Sequence, residues 1–512
     1  MTLDALPQNL QTPAELLDAL ITLRRDVVHD AEGAMETWRS LIDRPSTAAS
    51  IRNLADYLAL RRHDLRSLQL GLMPWGLSSL GRMESRVLPT LDAVIRTLSL
   101  LTPSAGDLPP RPSITSFFEG ANQLEQNACE VLGPEPLNRL VRIMVTLDTR
   151  AATDYAFVRN LVRAGADSLR INCAHDNPEA WAAMVQNGRL AAAELNRTVT
   201  ICIDLAGQKP RIDAVLTPPD ARRLVAGDLL LLSASGLAPK PGVEFQARCS
   251  VASVIGQLTV GAAVSFDDGK MMTLAERVDD DQALLRVVQT GAKGKALRPG
   301  LGLNFPDSTI SLPVLTPKDL DDLDFVAAHA DAVGFSFVQR PEDVALLQNE
   351  LRRRGRLPAL IAKIETAEAV RNLPGIIVQA AGRQPLAVMI ARGDLAVEIG
   401  YKRLAEIQEE ILWLCEAAHV PVVWATQVLE RLAQKGIPSR AEVTDAAMSE
   451  RAECVMLNKG PHILDAVSLL DDLLVRMAAH QWKKTPMLRA LHSWDYLAHS
   501  ASVTASSAEH PG

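Results

Sequence analysis

The sequence predicts an α/β fold: a (β/α)8 barrel of the TIM type, interrupted by an inserted β-barrel lid domain and preceded by a helical region. From Arg142 onward, short apolar runs alternate with amphipathic segments of helical period, a pattern typical of βα units around a parallel sheet. Eight such runs occur, which is the number that closes this kind of barrel. The predicted strands are Arg142–Leu147, Ser168–Asn172, Thr200–Asp204, Ala332–Ser336, Ala359–Ile364, Leu386–Ala391, Val422–Ala425 and Cys454–Leu457.

The predicted lid occupies the interval between the third and fourth strands. About 90 residues lie between Arg211 and Leu301, which is too long for a plain loop in a compact fold. The interval contains Gly-Asp and Asp-Asp-Gly turns and strand-like segments at Leu229–Leu232, Ala262–Phe266 and Leu284–Thr290. We therefore expect an all-β domain that covers the catalytic end of the barrel.

The region before the barrel is Leu-rich, and its apolar residues recur at helical spacing in Ala14–Leu41, Ile51–Leu72 and Val87–Leu101. Nothing in it resembles a reaction site, so we expect a role in packing or assembly. The predicted divisions are a helical region at 1–135, two parts of the barrel at 136–211 and 302–485, the lid at 212–301, and a partly disordered tail at 486–512.

Composition excludes several classes of protein. The net charge of −8 argues against general affinity for nucleic acid, which requires a basic face. The six cysteines show neither a CxxC pair nor zinc spacing, which indicates a reducing compartment. The N-terminus lacks the features of a signal peptide, and no apolar run reaches about 18 residues. We expect a cytoplasmic protein that binds neither nucleic acid nor membranes.

The segment I-A-K-I-E-T (361–366) places a lysine and a carboxylate at the end of a buried strand. Side chains alternate along a strand, so Lys363 and Glu365 should project from the same face. Burying such a pair costs desolvation energy, and it is usually retained where it binds something. On its own, the pair could equally be a structural ion pair. Charged residues at the ends of other strands favour a functional site.

Those other strand ends carry a consistent chemistry, because active sites of such barrels gather at the carboxyl ends of the strands. The residues concerned are Arg170 and Asn172, Asp204, the R-G-D of Arg392, Gly393 and Asp394, and Thr426. Glu365 and Asp394 are hard oxygen ligands suited to Mg²⁺ or Mn²⁺. Lys363 and Arg170 add fixed positive charge beside that metal, an arrangement suited to a phosphoryl group in transfer.

From about Arg142 to Val467 the chain resembles the pyruvate kinase family. The motifs that carry the resemblance are S-L-R-I-N-C-A-H (168–175), F-D-D-G (266–269), G-L-N-F-P (302–306), I-A-K-I-E-T (361–366), M-I-A-R-G-D-L-A-V-E (389–398), W-A-T-Q-V-L-E (424–430), S-R-A-E-V-T-D (439–445) and E-C-V-M-L (453–457). The resemblance implies a phosphotransferase that converts phosphoenolpyruvate and ADP to pyruvate and ATP, with a divalent metal.

The resemblance also implies a role for each matching residue. Lys363 would stabilise the transferring phosphoryl group and the enolate, Glu365 and Asp394 would hold the metal, and Arg170 would contact the phosphate. The substrate carboxylate would be bound by Gly393, Asp394 and Thr426, with Thr426 near the carbon that gains a proton. The nucleotide would be bound by Arg211, His175 and Asp267, of which Asp267 lies on the lid. We further expect a homo-oligomer.

The sequence departs from the family at the monovalent-cation site. Only Asn172 and Asp204 remain of its four ligands, because Ala174 and Leu205 replace the other two. Nearby, Lys209 stands where K⁺-dependent members carry an acid, and its ammonium could replace K⁺ electrostatically. The resemblance therefore implies a form that does not require K⁺, unless Lys209 is only a surface loop lysine.

Further departures leave alternatives open. The segment after the last strand reads N-K-G-P (458–461) in place of the family's G-E-T-A, and no counterpart of the C-terminal effector domain follows, so activation by sugar phosphates is not expected. A metal-dependent aldolase or lyase acting on pyruvate enolate would need no nucleotide. A non-catalytic relative that binds ligand as a sensor or scaffold is the third alternative, supported mainly by N-K-G-P.

Overall fold

The predicted alternation of strands and helices is present in the computed structural model, which describes residues 12–78, 80–102, 108–218, 222–306, 308, 310–483 and 485–486. The strands are β1 (Arg142–Thr146), β2 (Ser168–Asn172), β3 (Thr200–Asp204), β4 (Ile212–Leu216), β5 (Leu229–Ser233), β6 (Phe245–Cys249), β7 (Ala263–Phe266), β8 (Met271–Val278), β9 (Gln282–Thr290), β10 (Leu303–Asn304), β11 (Ala332–Phe335), β12 (Ala359–Ile364), β13 (Leu386–Ala391), β14 (Val422–Ala425), β15 (Cys454–Leu457), β16 (Gln481–Trp482) and β17 (Thr485–Pro486).

The α-helices are α1 (Pro13–Trp38), α2 (Ala48–Leu60), α3 (Arg66–Leu72), α4 (Val87–Ser99), α5 (Ile114–Leu132), α6 (Arg150–Thr153), α7 (Tyr155–Ala164), α8 (Pro178–Glu194), α9 (Pro317–His329), α10 (Pro341–Arg353), α11 (Ala367–Ala381), α12 (Arg392–Ile399), α13 (Tyr401–Ala417), α14 (Glu430–Lys435), α15 (Arg440–Met448) and α16 (Ile463–Ala478). None of these described helices is long and apolar enough to cross a membrane.

Eight parallel strands close the barrel in the order β1-β15-β14-β13-β12-β11-β3-β2, which confirms the predicted fold class. Side chains that point out of the barrel pack beneath the surrounding helices. On β12 these include Leu360 and Ala362. Inward-pointing side chains form a separate apolar layer that includes Met144, Cys202 and Ile361. Because side chains alternate, the next inward positions on these strands lie one layer nearer the carboxyl end.

Helix α5 closes the barrel at the amino ends of its strands. Its last residues, Val131 and Leu132, are buried against the inward-pointing layer. The remaining N-terminal helices have a core of their own, which packs on α13 through Ala417. Asn53 Nδ2 donates a hydrogen bond to the Ala417 carbonyl at 2.8 Å. The predicted helical region is therefore docked on the barrel, and the single run predicted at 51–72 is divided into α2 and α3.

The inserted β domain is one seven-stranded sheet in the order β10-β7-β8-β9-β5-β6-β4. An antiparallel bridge between Arg211 and Gly302 joins its two edges where the chain enters and leaves the insertion, so the sheet is nearly closed. Its apolar core, which includes Phe245 and Phe266, is distinct from that of the barrel. The predicted tail lies outside the described residues apart from Pro486, the last residue of β17.

Candidate active site

Four charged side chains occupy the layer above the apolar interior of the barrel. Lys363 Nζ lies 3.2 Å from Glu365 Oε1 and 3.6 Å from Asp204 Oδ2. It also donates a hydrogen bond to Ser336 Oγ at 2.8 Å. Arg170 donates to Asp204 Oδ2 from Nε at 2.9 Å and from Nη2 at 2.7 Å. The structure therefore brings Lys363, Glu365, Arg170 and Asp204 together, as alternation along the strands predicts.

The electrostatics of this layer keep its two cations charged. Burial alone would lower the pKa of Lys363, but Glu365 and Asp204 raise it above the usual value. Burial likewise opposes the charge on Arg170, and Asp204 raises the pKa of that guanidinium. Burial would raise the pKa of Asp204, yet Arg170 and Lys363 hold it below its usual value. An anion entering this layer would therefore meet two permanently charged donors in a site of low dielectric.

Asp394 lies in the first turn of α12, so the R-G-D segment begins a helix where a strand end was expected. Asp394 Oδ1 accepts a hydrogen bond from Lys209 Nζ at 2.6 Å and one from Asn304 Nδ2 at 3.2 Å. Glu365 Oε2 accepts from the backbone N–H of Phe337 at 2.6 Å, and Phe337 has a positive φ of 56°. Both carboxylates are thus held in place by other groups.

The two carboxylates fit a divalent metal by their charge. Burial raises the pKa of Glu365, Lys363 lowers it, and the negative charge of Asp394 raises it further. Two negatively charged carboxylates this close to each other form a donor pair suited to Mg²⁺ or Mn²⁺. No group of three or more acidic, His or Cys side chains suited to a metal occurs among the described residues. Glu365 and Asp394 would therefore need oxygen ligands from water or substrate to complete the coordination.

Thr426 is held beside Gly393 by an unusual backbone. Its φ is 65°, and the next residue, Gln427, has a φ of 62°. The backbone N–H of Gly393 donates to Thr426 Oγ1 at 2.8 Å. This hydrogen bond orients the Thr426 hydroxyl beside the start of α12.

Arg392 stabilises the turn at Thr426 by hydrogen bonds to its backbone. It donates from Nε to the Ala425 carbonyl at 3.0 Å and from Nη2 to the Thr426 carbonyl at 2.6 Å. Its guanidinium also pairs with both oxygens of Asp445 and lies 4.6 Å from the ring centroid of Trp424. Such a bidentate, stacked guanidinium cannot be replaced by lysine without losing directed hydrogen bonds.

Arg392→Ala should therefore displace Thr426 and lower kcat about 10²-fold for any reaction that uses its hydroxyl, because small misplacements of a reacting group are costly. Added guanidinium should restore part of the rate, since it can fill the vacated space between Asp445 and the Thr426 carbonyl. Arg476→Ala, which removes an exposed arginine paired with Asp472 on α16, is the control. A lost rate that guanidinium does not restore, in a folded variant, would contradict the positioning role.

Three cationic side chains and Asp176 act on His175. Burial lowers the pKa of His175, and the charges of Lys459, Arg211 and Arg170 lower it further. Arg211 Nη1 donates to the Gly300 carbonyl at 3.1 Å at the base of the lid. Lys459 belongs to the N-K-G-P segment and was not among the predicted site residues. Its position two residues after β15, at the carboxyl end of a barrel strand, is the sequence signal for it.

Two neighbouring lid carboxylates, Asp267 and Asp268, form salt bridges with different parts of the protein. Asp267, expected near the nucleotide, pairs with Lys295 and Lys270 of the lid itself. Asp268 pairs with Lys209 at 2.9 Å and so ties the lid to the barrel. Both aspartates have a φ of 54°, and they form the turn at the tip of β7.

The residues matched to the monovalent-cation site are engaged by other protein groups. Asn172 Oδ1 accepts from the backbone N–H of Ala174 at 2.9 Å. Asp204 is paired with Arg170 and Lys363, as described above. Lys209 was expected to supply its charge at this place, but its ammonium lies on Asp394 and Asp268.

A cavity of about 400 Å³ opens beside Asp394, between the lid junction and the first turns of α10 and α11. Lys209, Asn304 and Glu398 line the end nearest the site. Asn304 Nδ2 lies 3.4 Å from Glu398 Oε1, and burial raises the pKa of Glu398 to about 7. Glu398 was not singled out from the sequence, although its position four residues after Asp394 places both on one face of a helix.

The fold and this layer of charges define a (β/α)8 barrel protein with two buried cations beside carboxylates at the carboxyl end of its strands. The model of the family described as "Pyruvate kinase, barrel domain" matches residues 138–461. Pyruvate kinase 2 of Synechocystis sp. is 30% identical over 351 residues, covering 67% of this chain and 57% of that protein. Pyruvate kinase 2 of Trypanosoma brucei brucei is 30% identical over 341 residues, 66% of each chain. Pyruvate kinase of Methylorubrum extorquens is 32% identical over 324 residues, 63% of this chain and 64% of that one.

The chain belongs to the pyruvate kinase family. The matched region spans about three fifths to two thirds of the length of these relatives.

Proposed function

We propose that the protein transfers a phosphoryl group between phosphoenolpyruvate and ADP, giving pyruvate and ATP. The observation that carries the proposal is the position of the Lys363 ammonium, within 3.2 Å of Glu365 and 3.6 Å of Asp204 at the mouth of the barrel. Arg170, on the same layer, supplies a second fixed cation. Phosphoryl transfer depends mainly on positioning and on neutralising charge, and this layer provides both.

In this reaction the bond between the enol oxygen and phosphorus breaks, and an oxygen of the ADP β-phosphate forms the new bond to phosphorus. The electron pair of the broken bond stays on the enol oxygen, so an enolate results. Lys363 and Arg170 would hold the phosphoryl oxygens, and Lys363 would stabilise the enolate. A proton delivered to the terminal carbon of the enolate then gives pyruvate, on the side where the Thr426 hydroxyl is fixed by Gly393.

The remaining groups would bind the metal and the nucleotide. Glu365 and Asp394 would hold a divalent metal, which when bound supplies additional positive charge to the phosphoryl oxygens. Arg211, Lys459 and His175 would bind the nucleotide phosphates. The lid would exclude water from the site, as closing domains commonly do.

A coupled assay for pyruvate release tests the proposal most directly. The wild-type protein should form pyruvate from phosphoenolpyruvate only when both ADP and Mg²⁺ are present. Consumption of a substrate without ADP would favour the aldolase or lyase alternative. Binding of phosphoenolpyruvate without turnover under all conditions would favour a non-catalytic relative.

We also propose that the reaction does not require K⁺. Leu205 and Ala174 cannot serve as side-chain oxygen ligands, and the charge of Asp204 is already paired with Arg170 and Lys363. The rate in KCl should stay within about twofold of the rate in tetramethylammonium chloride at the same ionic strength. Both salts screen charges equally, so any larger difference would come from specific binding of K⁺. A many-fold activation by K⁺ would refute this prediction.

A further inference from the structure

Lys209 is paired with Asp394, one of the two carboxylates proposed to hold the metal. Its Nζ lies 2.6 Å from Asp394 Oδ1 and 2.9 Å from Asp268 Oδ1, and its side chain is only 14% exposed. The side chain passes directly over Gly302, where an added Cβ would lie 2.8 Å from Lys209 Cε. The absence of a side chain at Gly302 thus leaves room for the lysine to reach Asp394.

A divalent cation bound to either carboxylate oxygen of Asp394 would lie close to this ammonium. Two cations on one carboxylate repel each other in a partly buried site. Any metal that binds Asp394 must therefore displace Lys209 or bind more weakly because of it. Lys209 therefore competes with a divalent metal for Asp394.

A second acceptor for the lysine lies one helical turn further along α12. Asn304 Nδ2 contacts Asp394 Oδ1 at 3.2 Å and Glu398 Oε1 at 3.4 Å, so the two carboxylates flank the same amide. Lys209 and Glu398 both line the cavity of about 400 Å³, which gives the side chain space to move. The charge of Lys209 already acts on Glu398, since it opposes the effect of burial on the pKa of that carboxyl.

We propose that Lys209 is an internal counter-ion which neutralises Asp394 in the metal-free protein and moves to Glu398 when a divalent metal binds. This inference rests on the proposed function, because it takes Asp394 as a metal ligand. The carboxylate of Glu398 would then stabilise the displaced ammonium and so favour metal binding at Asp394. The affinity of the free protein for a divalent cation therefore depends on both residues together.

Titration of the free protein with Mn²⁺, followed by electron paramagnetic resonance in the absence of substrates, tests the inference. Lys209→Met should tighten Mn²⁺ binding about tenfold, the scale expected when one competing ion pair of a partly buried site is removed. Lys209→Gln, which keeps a polar side chain of intermediate length, should tighten it as well. Lys402→Met removes an exposed lysine at the start of α13 and should leave the affinity unchanged.

The double variant separates relocation of the lysine from a general effect of charge. Glu398→Gln should weaken Mn²⁺ binding several-fold when Lys209 is present, and clearly less in the Lys209→Met background. Equal effects of Glu398→Gln in both backgrounds, or unchanged or weaker Mn²⁺ binding by folded Lys209→Met and Lys209→Gln, would overturn the inference. Absence of Mn²⁺ binding by the wild type and by both Lys209 variants would instead refute the metal site of the proposed function, and this inference with it.

Discussion

Lys363→Met is expected to abolish phosphoryl transfer, lowering kcat by about 10³-fold or more. The cost of removing a single donor from an oxyanion site is already about 10²- to 10³-fold, and Lys363 is a buried full charge. Methionine keeps the length and apolar stem of lysine but supplies no proton donor to the substrate. The measurement is the coupled rate of pyruvate formation, with phosphoenolpyruvate and ADP both saturating.

The same change should weaken the fold without destroying it. Asp204 keeps the two hydrogen bonds from Arg170, so it remains compensated. Glu365 loses the ammonium that lowers its pKa and should take up a proton more readily. Leaving a buried charge unpaired costs about 3–5 kcal/mol, and protonation of Glu365 relieves part of that cost. Urea unfolding should therefore show a reduced but cooperative transition.

A matched control is Lys435→Met, which removes an exposed lysine at the end of α14. It should retain both the rate and the stability of the wild type. If Lys363→Met kept near-normal turnover, the proposed stabilisation of the enolate by this lysine would be wrong, whatever its stability.

Glu365→Gln is the second large effect we expect. The glutamine can accept the Phe337 N–H through its carbonyl oxygen, but its amide group would then point toward the Lys363 ammonium. Two donors facing each other are unfavourable, and a neutral amide is a much weaker ligand for a hard dication. Mn²⁺ affinity should fall about 10²-fold or more, and kcat about 10³-fold.

Electron paramagnetic resonance with Mn²⁺ and the coupled assay measure the two effects separately. Glu368→Gln changes a carboxylate three residues later, paired with Arg340 near the surface, and should leave Mn²⁺ binding intact. Unaltered Mn²⁺ binding by a folded Glu365→Gln variant would remove Glu365 from the metal site, while a loss of turnover alone would still place it near the reaction.

Much of the barrel could be predicted because its strands are buried on both faces. Such strands appear in sequence as short apolar runs, and β12 and β13 begin and end at the predicted residues. Alternation along β12 then placed Lys363 with Glu365. Both predictions use only the local pattern of apolar residues, which is reliable for a strand that is wholly buried.

The partners of flexible or distant side chains could not be predicted in this way. Lys209 was expected near the cation-site residues, but its side chain has four rotatable bonds and reaches Asp394 instead. Arg392 finds Asp445 across 53 positions of sequence, a contact that depends on the whole barrel. Asp394 was predicted at a strand end, and the helix that holds it was not foreseen because no loop separates β13 from α12.

The pairing of the first barrel strand with the last has a consequence for how the chain is made. Arg142 of β1 lies opposite Cys454 of β15. Synthesis from the N-terminus delivers α1–α5 and β1 long before β15 leaves the ribosome, and contacts between such distant positions form slowly. One edge of β1 therefore stays unpaired until β15 is made, and an unpaired strand edge can pair with other chains.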